Sequence, residues 1–143
     1  PSGESGSIDA FLAWIGDDAR EIDHAEVDRT LHSSPPILLA QEHVELALKI
    51  GRDMLLLTTK RILLIDVKGF TGKKVNYLTI PLAHIHAFAV QSAGQFDRDA
   101  EVDVWTDVPG IPRVSQDLWK GKADIFVVQR ILAGRLLQWS GEF

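Results

Sequence analysis

The sequence predicts a mainly-β domain of about seven antiparallel strands that are followed by a C-terminal α-helix. From residue 37 onward, short apolar runs follow one another with turn residues between them, which is the pattern of successive strands. From residue 125 the apolar spacing changes to that of an amphipathic helix. A chain of 143 residues fits a single folded domain.

The apolar runs and the turns between them set the expected strands. Gly51-Arg52 separates the first two strands, and the glycines of Gly69–Gly72 separate the third from the fourth. Because a parallel return needs about a dozen residues or more, loops this short require antiparallel hairpins. We expect strands near residues 41–50, 53–59, 61–68, 74–80, 86–92, 99–106 and 114–119.

The C-terminal helix is expected to begin at Asp124, whose carboxylate can accept hydrogen bonds from the first free N–H groups. Its apolar stripe consists of Ile125, Val128, Ile131, Leu132 and Leu136. An eight-stranded barrel without a helix is the alternative, and this stripe disfavours it.

Two helical patterns precede the strands. Ile8, Phe11, Leu12 and Ile15 share one helical face, and residues 25–31 form a second short stretch that ends before Pro35. We therefore divide the chain into an N-terminal leader and helical extension, residues 1–36, and the β-domain, residues 37–143.

Two of the expected strands, at residues 54–57 and 62–65, are apolar on both faces. An antiparallel strand with one wet face alternates apolar and polar residues, so something must cover the outer face of these two. The N-terminal helix is one candidate and another copy of the domain is the second. Glu101 and Asp103, by contrast, predict a solvated strand face that Trp105 shares.

Composition limits the function. The net charge of −5 and the absence of cysteine exclude a generic nucleic-acid binder, a disulfide framework and thiolate metal ligation. The absence of cysteine fits a cytoplasmic protein. Residues 46–76 nevertheless carry seven bases and two acids, whereas residues 1–45 carry two bases and ten acids. A local basic pole is therefore expected on an acidic chain.

Several motifs resemble the bacterial pleckstrin-homology family across residues 37–137. They are RD-x-x-x-LTT-KR at 52–61, G-x-TGKK at 69–74, Thr79-Ile80-Pro81, the turn from Ala93 to Asp97, and the helix start Asp124-Ile125. Leu82-Ala83 and the irregular segment 107–118 depart from the family pattern. The resemblance implies a pleckstrin-homology-like split barrel without catalytic activity. It also implies assembly into closed rings through sheet edges and the lack of a phosphoinositide-binding signature.

The family fold would gather cations from three loops at one end of the barrel, and these form a candidate site for an anion or a lipid headgroup. A solvated set of turns is the simpler interpretation, because Asp53 and Asp107 dilute the positive field. The candidate cations are Lys49, Arg52, Lys68, Lys73, Lys74 and Arg113.

The sequence gives little support for a phosphate-binding loop, a metal site or a catalytic site. The glycine loop at 69–74 lacks the spacing of a phosphate loop and precedes a strand rather than a helix. His84 and His86 could face the same way on a strand, but a zinc site needs at least a third ligand, for which His43 and Glu42 on an early strand are the only nearby residue types. Two such histidines are more often ordinary surface residues. We expect no catalytic residues, no metal and no cofactor.

The predicted function is a non-enzymatic interaction or scaffold domain that self-associates or binds a protein partner. The alternative is a peripheral membrane module that binds anionic lipid headgroups weakly through the basic pole. The candidate protein interface consists of Leu55, Leu57, Ile62, Leu64, Trp105 and Trp119.

Overall fold

The computed structural model describes residues 20–69, 74–92, 100–118 and 124–137. They form eight strands and two α-helices, with a short 3-10 turn at Leu82–His84. In chain order they are β1 (Arg20–Ile22), α1 (His24–Ser33), β2 (Val44–Ile50), β3 (Asp53–Thr58), β4 (Arg61–Lys68), β5 (Lys74–Pro81), β6 (Ile85–Gln91), β7 (Ala100–Thr106), β8 (Arg113–Leu118) and α2 (Ile125–Leu136).

The strands make two antiparallel sheets, a five-stranded sheet in the order β1-β2-β3-β4-β5 and a three-stranded sheet in the order β6-β7-β8. The predicted mainly-β architecture and its C-terminal helix are confirmed. Gly51 adopts a φ of 60° in the β2–β3 turn, a conformation that glycine reaches without steric cost. The Asp124 side chain accepts a hydrogen bond from the Phe126 N–H and so caps α2 as predicted.

The main core lies between the two sheets and α2. Alternate residues of β2, β3 and β4 point into it, including Leu48, Leu55 and Ile62, and they meet Val104 of β7 and Leu132 of α2. All five side chains are buried. The four strand residues lie on the inward face that the period-two spacing of a pleated sheet creates, and Leu132 lies on the face of α2 that packs against them.

A second core lies on the outer face of the five-stranded sheet. Leu56, Leu63 and Ile65 are fully buried there beneath α1, which contributes Val27 and Leu31. The chain's own helix therefore covers the strands that are apolar on both faces. The helical pattern at 25–31 was correct, although the short strand β1, which pairs with β2, was not predicted.

Residues 20–36 thus pack directly on the β-domain. The division at residue 36 stays a prediction, and the helical pattern at residues 8–15 lies outside the described residues. Neither α1 nor α2, the two helices in the described ranges, is long and apolar enough to cross a lipid bilayer.

A buried ion pair ties the segment before β2 to the sheet. Glu42 has no solvent-exposed surface, and its carboxylate accepts hydrogen bonds from Arg61 Nε at 2.8 Å and from Thr58 Oγ1 at 2.7 Å. A second guanidinium nitrogen donates at 2.9 Å, so the pair is bidentate. Leu39 N–H donates to the same carboxylate at 3.1 Å.

The stability of the fold should fall in acid because of Glu42. Burial alone would raise its pKa, but the hydrogen bonds from Arg61, Thr58 and Leu39 outweigh burial and lower the pKa below the ordinary value. The ionised form therefore stabilises the folded state above the unfolded-state pKa, and this contribution disappears as pH falls through the folded-state pKa. Denaturant unfolding from neutral pH downward should show the stability difference between the unmodified chain and Glu42→Gln shrinking in that acidic range. A difference that stays constant would contradict this.

Candidate interaction surfaces

Three of the six residues of the predicted basic pole are buried or paired with acids of the same chain, namely Lys49, Lys68 and Arg113. Lys49 is fully buried on β2, so it cannot meet a lipid headgroup, and that part of the prediction is wrong. The strand pattern places residue 49 on the outer face of the sheet, where the cover of the second core excludes solvent. Arg52 donates to the backbone oxygen of Gly69 at 2.7 Å and so links the β2–β3 turn to the residue that follows β4.

Lys68, at the end of β4, lies near two acids, Asp66 and Asp53. Lys68 forms an ion pair with Asp66, which lowers the pKa of Asp66 and raises that of Lys68. Burial raises the pKa of the neighbouring Asp53 against the opposing effect of Lys49. Lys74 is exposed at the start of β5, while Lys73 lies outside the described residues.

The predicted apolar interface on the five-stranded sheet is not a surface. Leu55, Leu57 and Ile62 are no more than 2% exposed and point into the main core, against which Leu64 also packs. The apolar pattern showed that both faces of these strands are covered, but it could not show which residues face inward. Trp119 lies outside the described residues.

The outer face of the three-stranded sheet is open by contrast, and it carries Trp105. The strand register produces three rows across β6, β7 and β8 on this face. The first row joins Ala87, Trp105 and Arg113, the second joins Ala89, Asp103 and Ser115, and the third joins Gln91, Glu101 and Asp117. We call these nine residues the Trp105 face.

The first row contains an aromatic–cation pair. The Arg113 guanidinium lies 5.5 Å from the centroid of the Trp105 ring, within the range of a cation–π interaction. Trp105 is 38% exposed, and the small side chain of Ala87 beside it is also exposed. Arg113 contacts Glu101, Asp103 and Trp105, which all belong to the Trp105 face. We therefore assign Arg113 to this face and not to the predicted basic pole.

Asp103 corrects the expectation of a solvated strand face, because it is only 5% exposed. Arg113 donates to it at 2.9 Å and the Ser115 hydroxyl donates to the same oxygen. Burial would raise the pKa of Asp103, but these bonds and one from Glu101 lower it. Asp103, and after it Asp117, raises the pKa of Glu101, so acids crowd the second and third rows.

His84 and His86 share one carboxylate. His84 Nδ1 lies 2.8 Å from one oxygen of Asp107, and His86 Nε2 lies 2.9 Å from the other. The hydrogen bond from His86, and then that from His84, lowers the pKa of Asp107. The cluster is exposed and fixes the start of the β7–β8 connection, where the Asp107 N–H also donates to the His84 carbonyl at 3.1 Å.

Sequence reasoning missed both buried carboxylates. Glu42 and Arg61 are separated by 19 residues, so only the strand pairing brings them together. Asp103 and Arg113 could have been paired from the hairpin register, since two strands joined by a short loop place such residues on one face.

Comparison with known proteins agrees with this architecture. The family model described as Bacterial PH domain matches residues 14–135. Over 97 residues the chain is 41% identical to the uncharacterized protein YjqA of Bacillus subtilis (strain 168), a match that covers 68% of this chain and 77% of that protein.

Two crystal structures are also similar. A DUF1696 family protein with a pleckstrin-homology domain from Shewanella loihica PV-4 superposes with a TM-score of 0.71 at 36% identity, covering 85% of this chain and 99% of that one. A pleckstrin homology domain from Shewanella amazonensis SB2B has a TM-score of 0.66 at 36% identity, covering 88% of this chain and 98% of that one. This chain belongs to the bacterial pleckstrin-homology domain family.

Proposed function

We propose that this chain is a non-enzymatic interaction domain that self-associates through the Trp105 face. The supporting observation is Trp105 itself, an indole with 38% exposure on a sheet face that neither described helix covers. Tryptophan and arginine are enriched among the residues that dominate protein interfaces. Here the two are already stacked, which lowers the entropy that a partner must remove on binding.

The charge distribution on this face favours a second copy of the chain as the partner. Arg113 stands in the first row, while Glu101 and Asp117 stand in the third. A two-fold axis through the second row places the first row of each copy over the third row of the other, because a two-fold interface uses the same patch twice. Arg113, which already pairs with Asp103 and lies 3.7 Å from Glu101 within its own chain but keeps an exposed side, then also faces Glu101 and Asp117 of the second copy.

The contacts disfavour the alternative of an anionic lipid headgroup bound at the basic pole. Lys49 is buried, Arg52 bonds a backbone carbonyl, Lys68 pairs with Asp66, and Arg113 pairs with Asp103. Each exposed lysine or arginine contributes about 1 kcal/mol near an anionic surface, so a pole reduced in this way attracts a membrane weakly. Lys74→Glu should therefore leave co-sedimentation with phosphatidylserine vesicles unchanged, and loss of strong vesicle binding would favour the lipid alternative.

Trp105→Ala should weaken self-association by about 2 kcal/mol, or about thirtyfold in the dissociation constant, because the aromatic anchor of the first row is lost. Light scattering over a dilution series at micromolar protein concentrations would measure it. Tyr77→Ala is the matched control, since Tyr77 lies on β5 of the other sheet and is also 38% exposed. A chain that is strictly monomeric in this range, or equal effects of the two variants, would contradict the proposal.

Asp117→Lys tests the charge argument separately. Asp117 is exposed and faces Glu101 across the register, so a lysine relieves acid crowding within one chain. In the proposed dimer the same lysine opposes Arg113 of the second copy, and association should weaken although the monomer is as stable as before. Stronger association of this variant would exclude the proposed two-fold arrangement.

A further inference from the structure

A histidine–carboxylate cluster lies away from the Trp105 face, where α1 meets the segment before β2. Asp28 and His32 stand one turn apart on α1, and His43 immediately precedes β2. One ligand atom from each residue can be chosen so that all three lie within 4.8 Å of one another. We infer that Asp28, His32 and His43 bind a divalent transition metal ion, with zinc as its representative.

The distances suit tetrahedral coordination. His32 Nδ1 lies 3.0 Å from Asp28 Oδ1, and His43 Nδ1 lies 3.6 Å from Asp28 Oδ2. Zinc bonds nitrogen and carboxylate oxygen at about 2.0–2.2 Å, so tetrahedral ligand atoms stand about 3.3–3.5 Å apart. The two separations are close to this range but run to different oxygens of the Asp28 carboxylate, so side-chain rotation must bring the three ligands around one ion.

The surroundings of the ligands are those of a built site. His32 Nε2 lies 2.9 Å from the Leu39 carbonyl oxygen, so an Nε2–H donated there leaves Nδ1, 3.0 Å from Asp28 Oδ1, as the nitrogen that can bind an ion. Asp28 Oδ2 accepts a hydrogen bond from the Val44 N–H at 2.6 Å. Metal-binding histidines and carboxylates are oriented in this way by groups behind them.

The third ligand is also held in place. The backbone of His43 exchanges two hydrogen bonds with Thr59, its N–H donating to the hydroxyl at 3.2 Å and its carbonyl accepting at 2.9 Å. The His43 side chain is 65% exposed, which gives an ion access from solvent. Three protein ligands leave one coordination position for water.

The donor set indicates the class of metal. Two imidazoles with one carboxylate suit zinc, copper, nickel and iron, whereas calcium and magnesium prefer oxygen ligands. His32 Nδ1 also lies 2.7 Å from the Asp28 backbone oxygen, so an ion that binds Nδ1 displaces any proton shared with this carbonyl. A bound ion would fasten α1 to the segment that leads into β2 and so strengthen the cover of the second core.

The inference departs from the sequence-based expectation that the chain binds no metal. His84 and His86 drew attention in the sequence because they stand two residues apart. The residues in this cluster are separated by up to 15 positions and come together only through the packing of α1.

Isothermal titration of the untagged full chain with zinc chloride tests the inference directly. We expect binding of one ion per chain and a rise in Tm, because a ligand that binds the folded state stabilises it. His43→Ala should weaken binding by at least about tenfold, and this exposed residue can be changed without opening the core. Asp28→Asn should have a similar effect while retaining the shape of the side chain.

Two controls make the outcome specific. The double variant His84→Ala with His86→Ala removes the other histidine–carboxylate cluster and should bind zinc as the unmodified chain does. Magnesium chloride should produce neither heat nor a shift in Tm. The inference is wrong if zinc in molar excess does not bind, if His43→Ala binds as tightly as the unmodified chain, or if only the double variant loses binding.

Discussion

Arg61→Met is expected to lower the free energy of unfolding by about 3–5 kcal/mol, because it leaves the fully buried carboxylate of Glu42 without its ion-pair partner. The change also removes the guanidinium hydrogen bonds to the Ile37 carbonyl and the Thr79 hydroxyl, each 2.8 Å long. These bonds join the segment before β2 to β5, so their loss loosens the end of the sheet. Urea unfolding followed by circular dichroism measures the effect.

Lys60→Met is the matched control, since Lys60 is the preceding residue and its side chain is exposed. A surface change of this kind usually alters stability by less than about 0.5 kcal/mol. Adding Glu42→Leu to Arg61→Met should recover part of the loss, because replacing both partners of a buried pair removes the uncompensated charge. Equal effects of Arg61→Met and Lys60→Met would show that the ion pair does not hold this segment.

Leu31→Ala is the second large change, with an expected loss of about 2–5 kcal/mol. Leu31 is 1% exposed and packs among the outer-face residues of β3 and β4, including Leu56 and Leu63. Truncating it removes apolar contact and leaves a cavity between α1 and the sheet. Thermal and urea unfolding would measure the loss in the pure domain.

Phe126→Ala provides the comparison for this variant. Phe126 is a larger apolar residue on α2, but it is 75% exposed, so its removal should cost less than about 0.5 kcal/mol. If Leu31→Ala were as mild as Phe126→Ala, α1 would not be the cover of the outer face. A second copy of the chain would then again be the candidate for that role.

The strands and α2 were predictable because their signals are local. Apolar alternation, the turn glycines and the Asp124 cap fix the elements within a few residues of where the structure has them. β1 was missed because three residues, Arg20–Ile22, are too short to show a period-two pattern. The first expected strand also began early, at 41 rather than at Val44, because Glu42 and His43 are committed to side-chain contacts with Arg61 and Asp28.

The surfaces were less predictable because they depend on which residues the fold brings together. Lys49 was interpreted as a loop cation, yet the packing of the second core buries it. Asp103 was interpreted as solvated, yet Arg113 from the next strand lies against it. Trp105, whose outward position follows from strand parity alone, is exposed as the sequence predicted.

The two sheets have different roles in this proposal. The five-stranded sheet is covered by the chain's own helix α1, whereas we propose that the three-stranded sheet presents the Trp105 face to a second copy. Hydrogen exchange at two protein concentrations, one well above and one well below the association midpoint, separates these roles. Amides that become ordered by association exchange more slowly at the higher concentration.

The account predicts that peptides from β7 and β8 gain protection at the higher protein concentration, while peptides from β3, β4 and α1 exchange equally at both. In Trp105→Ala the gain should disappear. Concentration-dependent protection confined to β3, β4 or α1, or no concentration dependence in an associating sample, would contradict the assignment of the Trp105 face as the interaction surface.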